Sequence, residues 1–188
     1  MPTEDNHSTS SSEPTEPTQK HNPFALSYEL SLNIIEGVEL ITNQLILGQN
    51  VTLDLFGGKI SQIPEAINVD LIAESGVKAS IAEFLPKLPK QSIDQIIVSN
   101  PQAYFLEYAA PVLKIGGRLY INSTKRNPFG KLPSVEIIEQ LGLKVLQENA
   151  PLDTRFINQK FTRETPRNDG TLEIPLSSLK TTILEKIK

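Results

Sequence analysis

Residues 26–34, LSYELSLNI, alternate: Leu26, Tyr28, Leu30, Leu32 and Ile34 are apolar, and Ser27, Glu29, Ser31 and Asn33 are polar. A period of two predicts a strand. Glu36-Gly37 reads as a turn, and VELIT and QLILG follow with more β-compatible residues. Residues 23–49 therefore read as an N-terminal β extension, a hairpin or small meander. A helix over 27–44 competes, because Leu30, Ile34, Val38 and Ile41 also recur at helical spacing.

From Val51 onward, strand and helix patterns alternate. VTLDL predicts a buried strand and AINVDLI a second. SIAEFLPKL reads as a short helix or loop. DQIIVSN is a third strand, with the unbroken apolar run of a parallel sheet. QAYFLEYAAPVLK predicts a helix ended by Gly116-Gly117, and RLYINS a fourth strand. PSVEIIEQLG predicts a helix with Ser134 as N-cap and Gly142 at its end. LKVLQENA is a strand, and QKFTRE and KTTILEKI read as the last two. Strands alternating with helices of about ten residues predict an α/β fold, a doubly wound Rossmann-like sheet over residues 50–188.

The hydrophobic share, 38%, is low. The first 22 residues account for much of this, since Met1 is their one apolar residue. Such a segment cannot bury enough surface to offset its chain entropy, so residues 1–22 are expected to be a disordered tail. Met1 is not followed by a basic region and an apolar run, so no signal peptide is expected, and no stretch approaches the ~20 apolar residues of a membrane helix. A cytoplasmic protein with no membrane partner is the expectation.

Of the net charge of −4, the tail holds Glu4, Asp5, Glu13 and Glu16 against Lys20, which leaves residues 23–188 one charge short of neutral. A near-neutral body argues against charge-driven nucleic-acid binding. There is no cysteine, and both histidines, His7 and His21, fall in the tail. Thiolate chemistry, Cys or His metal sites and His-dependent hydrolase triads are thereby excluded from the folded part. Chemistry there must use carboxylates, Lys, Tyr, backbone groups or a cofactor that brings its own reactivity.

In open α/β sheets, ligands sit at the carboxyl ends of the strands. Asp54, Phe56, Gly57 and Gly58 follow the first strand, Asp70 ends the second, Ser80 and Ile81 follow a third short stretch, and Ser99, Asn100 and Pro101 end DQIIVSN. With these four segments in order, the chain resembles the class I S-adenosylmethionine-dependent methyltransferase superfamily, as a degenerate member similar to the type 11 methyltransferases. LDLFGG is similar to the first motif, an acid followed by glycines. INVDLI is similar to the second, whose acid serves the ribose. SIDQIIVSNP resembles the strand toward the substrate, and EYAAPVLKIGGRLYI the helix, double-glycine turn and strand that follow.

The resemblance implies S-adenosyl-L-methionine as cofactor. Asp70 would accept from the ribose diol, and Asp54 would pair with the amino-acid end, directly or through water. Gly57 and Gly58 would let the backbone approach, Ile81 and Ser80 would flank the adenine, and Ser99 would line the site. Phe56 stands where the family has a small residue. The stretch between Gly58 and Asp70 is too short for a full helix, so a loop is expected there.

SNPQAY, residues 99–104, is similar to the Asn-Pro-Pro-aromatic motif of amino-group methyltransferases. By that resemblance Asn100, Pro101 and Tyr104 would be catalytic, two of them as acceptors for a target nitrogen. The competing reading is a helix start, with Asn100 as cap and Pro101 at the first helical position. STKRNPFGK, residues 123–131, is a basic loop that could meet an acidic group or simply be solvated. Arg155 and Arg163 read as surface residues. The function expected is methyl transfer to a small-molecule or exposed amino or hydroxyl acceptor, with nucleic acid not expected as substrate. The alternative is an inactive methyltransferase-like binding or interaction module, such as an effector or toxin-like terminal domain. A nicotinamide-binding domain is disfavoured, because the G-x-G-x-x-G fingerprint is absent after the first strand.

Overall fold

The computed structural model describes residues 30–167 and 169–188. The tail expected to be disordered, residues 1–22, and the first part of the β extension, residues 23–29, lie outside the described residues.

The described residues form ten strands: β1 Ser31–Leu32, β2 Thr52–Leu55, β3 Ile67–Asp70, β4 Gly76–Lys78, β5 Ile93–Ser99, β6 Leu113–Thr124, β7 Leu143–Pro151, β8 Thr162–Glu164, β9 Thr171–Glu173 and β10 Leu179–Lys186. Eight form one sheet in the order β1-β4-β3-β2-β5-β6-β10-β7. Neighbours from β1 to β6 are parallel. β10 is inserted antiparallel between β6 and β7. This is a doubly wound, Rossmann-like sheet with one antiparallel strand inserted near its edge. The chain winds outward from β2 in one direction through β3 and β4, and in the other through β5 and β6, so the switch point lies between β2 and β5.

Register decides which side chains share a face. Leu53, Ile67 and Ile96 lie side by side, as do Leu55, Val69 and Val98. These residues join Ile41, Phe84, Ala109 and Ile138 in one large core. Those four come from α1 (Ile34–Ile46), α2 (Ile81–Phe84), α3 (Leu106–Val112) and α4 (Val135–Gln140), in that order. The other face carries Asp54, Asn68, Ile97 and Tyr120. Loops cover it: Ile63, Ala66, Leu152 and Phe156 pack on Ile97 and Tyr120. The short connection from β2 to β3 is the reason, since it leaves no room for a helix there, as the sequence implied.

Four sequence expectations change. Among the described residues of the β extension, 30–49, only the two of β1 are strand, and the helix reading prevails over 34–46. Asn33 Oδ1 caps it by accepting from the Glu36 N–H at 2.9 Å. Gly37, Leu40, Ile41 and Gln44 form its buried stripe. Gly37 is not a turn residue; a Cβ there would meet Val77 Cγ2 at 2.6 Å, so it marks the close approach of α1 to β4.

The helix expected over QAYFLEYAAPVLK is confined to Leu106–Val112. Leu113 is already extended, and Gly116-Gly117 lie within β6 rather than ending the helix. QKFTRE does not join the main sheet, because β8 pairs only with β9. The three residues of β8 are exposed on both faces, so nothing draws this strand into the main core. Finally, Asn100 and Pro101 do not start a helix, since α3 begins only at Leu106. Ser80 and Ser134 do cap, accepting from Glu83 N–H and Ile137 N–H. Among the described residues no helix is long and apolar enough to cross a membrane.

Candidate functional site

A cavity of about 400 Å³ opens at the carboxyl ends of β4, β3, β2 and β5. Its wall includes Phe56, Gly57, Gly58, Asp70, Ser80, Ile81, Ser99, Asn100 and Tyr104. Nine of the eleven residues singled out in the sequence therefore meet around one space. Asp54 and Pro101 are not part of the wall.

Asp70 sits at the end of β3, where the chain turns. Its Oδ2 accepts from Gly58 N–H at 2.8 Å and its Oδ1 from Ile72 N–H at 3.0 Å. Each oxygen keeps a further lone pair, so the carboxylate is held in place with two acceptor sites still available to a ligand. Ile81 is buried at the start of α2, beside the capping residue Ser80. Leu71 and Ile72 are mostly exposed, yet both line the cavity, and they give its mouth an apolar lip.

Asp54 is fully buried and points beneath the glycine loop. Its Oδ2 accepts from Ser61 Oγ at 2.7 Å and its Oδ1 from Ser99 Oγ at 2.8 Å. Burial pushes its pKa up from 3.8 to about 6. The two serine hydrogen bonds hold it down in part, and the charge of Asp70 adds to the rise. Asp54 thus braces the loop from behind. Gly57 fits over this brace only because it lacks a side chain: a Cβ would fall against Asn68 Oδ1 and within 2.5 Å of Asp54 Oδ2.

Phe56 adopts φ 62°, a left-handed conformation that is an outlier for a bulky residue. Its ring meets Phe105 edge-on, centroids 6.3 Å apart, and forms part of the cavity wall. Such backbone strain amounts to about 1–3 kcal/mol. Phe56→Gly should relieve it while losing the ring contact, so the two effects offset. Urea unfolding is expected to change by less than about 1 kcal/mol. A loss of the ~3–5 kcal/mol usual for a buried Phe truncation would show that ring packing dominates instead.

Asn100 also has positive φ, 50°. Its Oδ1 and the carbonyl oxygen of Pro101 accept from the same donor, Asn127 Nδ2, both at 2.9 Å. Asn127 comes from the basic loop, and its own Oδ1 accepts from Phe129 N–H at 3.0 Å. Phe129 in turn meets the exposed Tyr104 ring edge-on, centroids 4.9 Å apart. The loop thus folds back on SNPQAY, while Lys125 and Arg126 face solvent.

No local pattern announced the remaining part of the wall, Gln159 to Glu164 with Thr171, which comes from the β8–β9 ribbon and the segment before it. Gln62 ties this wall down, with Gln62 Nε2 donating to the Lys160 carbonyl and Lys160 N–H donating to Gln62 Oε1. Arg163, expected at the surface, is exposed but stands at the cavity. Arg155 lies 5.4 Å from the ring centres of Tyr120 and Phe156 and donates to Gln95 Oε1. Among the described residues no group of three His, Asp or Glu side chains is placed to hold a metal ion.

No family model matches the chain, and no curated protein does. Among solved structures it is similar to the 16S rRNA (adenine(1408)-N(1))-methyltransferase from Catenulisporales acidiphilia, at 14% identity over 84% of this chain and 94% of that one, TM-score 0.46. It is also similar to a SAM dependent methyltransferase from Archaeoglobus fulgidus, at 17% identity over 80% and 94%, TM-score 0.43. A third is precorrin-6y C5,15-methyltransferase from Geobacter metallireducens GS-15, at 15% identity over 79% and 89%, TM-score 0.45. At such identities the likeness concerns the fold.

Proposed function

We propose that the protein binds S-adenosyl-L-methionine in this cavity and transfers a methyl group to a small or exposed amino or hydroxyl acceptor. The observation that carries this is Asp70: a carboxylate fixed by two backbone N–H groups at the end of β3, facing a cavity at the switch point, with lone pairs suited to a ribose diol. Gly57 and Gly58 line this cavity, and the loop that carries them is seated from behind on Asp54 and Asn68, where a Cβ at Gly57 would not fit. Ile81, Leu71 and Ile72 offer apolar surface to an adenine, and Ser80 a polar edge.

The cofactor, when bound, supplies a methyl group already activated by a sulfonium. The chain then needs only to align the acceptor and exclude water. That demand suits a folded region without His or Cys.

A second reading, a binding module without activity, draws on Asn127. Its amide already uses both acceptors of the Asn100–Pro101 pair. Calorimetric titration of S-adenosylmethionine and its demethylated product separates the two. Micromolar binding, weakened by about 1–3 kcal/mol in Asp70→Ala as a charged hydrogen-bond pair is lost, is expected. Absence of binding at millimolar ligand favours the module.

A further inference from the structure

We infer that Gln159 is a binding residue for an ammonium group at the far end of the bound nucleoside. The inference rests on the cofactor reading above and deepens it, because it assigns the end of the ligand that neither Asp70 nor Ile81 reaches.

The cavity is elongated by construction. Its wall runs from α2 beside β4, past Asp70 on β3 and Gly57 after β2, to Ser99 on β5. Three strand spacings separate β4 from β5, about 14 Å. A ligand with its base at Ile81 and its ribose at Asp70 therefore extends its tail toward Ser99 and Gln159.

Hydrogen-bond bookkeeping fixes what that end wants. Ser99 Oγ donates its hydrogen to Asp54 Oδ1 at 2.8 Å. It can therefore only accept from Gln159, and Gln159 Nε2 donates to it at 3.0 Å. The amide is thus oriented, and its other atom, Gln159 Oε1, is left as a bare acceptor. Gln159 is 7% exposed, it belongs to the cavity wall, and Oε1 is buried without a partner among the described residues. A buried acceptor without a donor is unfavourable, and a ligand that brings one relieves it.

The tail of an amino-acid-bearing nucleoside has two charged groups. Its carboxylate only accepts, so it cannot serve Oε1. Its ammonium only donates, with three N–H groups. The Asp54 carboxylate stands one hydroxyl behind, which favours a cation over an anion at this end. The segment that carries Gln159 is thereby a specificity element for ligands with an amino-acid tail.

The test compares two nucleosides by calorimetry: S-adenosylhomocysteine, which has the tail, and 5′-methylthioadenosine, which lacks it. Gln159→Met keeps the side-chain length without the amide. It is expected to weaken S-adenosylhomocysteine about tenfold or more and to leave methylthioadenosine unchanged. A second measurement needs no variant: the wild-type protein should bind the deamino analogue of S-adenosylhomocysteine about tenfold or more weakly than the parent. Equal affinity for parent and deamino analogue overturns the inference, as does a variant that loses both nucleosides alike or neither. In each of those cases the cofactor proposal stands. Wild-type protein that binds neither nucleoside overturns both.

Discussion

Gly57→Ala is expected to destabilise the fold by about 1–3 kcal/mol, the usual penalty for forcing a methyl group into a packed interior, and to abolish nucleoside binding. The added Cβ would fall against Asn68 Oδ1 and close to Asp54 Oδ2 and Cγ. None of these atoms can retreat cheaply. Asp54 is tied to Ser61 and Ser99, and Asn68 Nδ2 donates to the carbonyls of Gly58 and Ser75. The loop must lift instead, and it carries the Gly58 N–H away from Asp70.

Gly58→Ala is the control. Nothing lies within 4 Å of a Cβ at that position, but φ is +79°, so the substitution strains the backbone without striking the brace. Its effect is expected near 1 kcal/mol, with the Asp54 site intact. Urea unfolding of both variants, with nucleoside titration alongside, checks this. A Gly57→Ala protein as stable as the wild type would show that the loop is looser than its contacts indicate.

The second large effect is on pH dependence. The folded-state pKa of Asp54, about 6, lies above its ordinary 3.8. Between those values the folded protein binds more protons than the unfolded chain. This residue's contribution to stability is therefore fully present below 3.8 and is lost as pH rises through 6. Each pKa unit corresponds to about 1.4 kcal/mol, so the loss between pH 4 and pH 7 is about 2–3 kcal/mol.

Asp54→Asn removes the titration. The stability of that variant relative to wild type should rise by this amount across the same window, because the Ser61 and Ser99 hydroxyls can still donate to the amide oxygen or accept from its nitrogen. Denaturant unfolding at pH 4, 5, 6 and 7 measures it. A difference that stays flat with pH would mean that Asp54 titrates near the ordinary carboxylate value.

Local pattern identified most of the strands and one of the helix caps, Ser134. The apolar runs of β2, β3 and β5 are buried, on the helix-covered face except for Ile97, and cannot be mistaken for surface segments. Ser134 announces its helix because a serine hydroxyl before an apolar run has an N–H three residues on to accept from, and Ser80, read only as a ligand neighbour, caps α2 in the same way. The shortness of the β2–β3 connection also ruled out a helix there by length alone. Candidate residues at strand ends then met around one cavity, since parallel strands bring their carboxyl ends to one side.

What the local pattern lacks is any signal for long-range choice. Residues 30–46 satisfy both periods in part, and only α1 lets Gly37 close on Val77 of β4. Asp54 reads as a ligand-facing acid, but the side of β2 it faces is roofed by loops, and Ser61 of the β2–β3 loop and Ser99 at the end of β5 claim its two oxygens.

The α/β architecture, the carboxylate at Asp70 and the lack of imidazole and thiol groups in residues 23–188 are all legible in the order of residues. These depend on residue type and on periods of two to four, which neighbours in the chain fix. The tertiary structure alone decided that Asn127 would reach Asn100 and Pro101, 27 and 26 residues away, and that Gln159 would reach Ser99 across 60. Those pairings arise from where the sheet order sets down distant loops, and no local propensity encodes that placement.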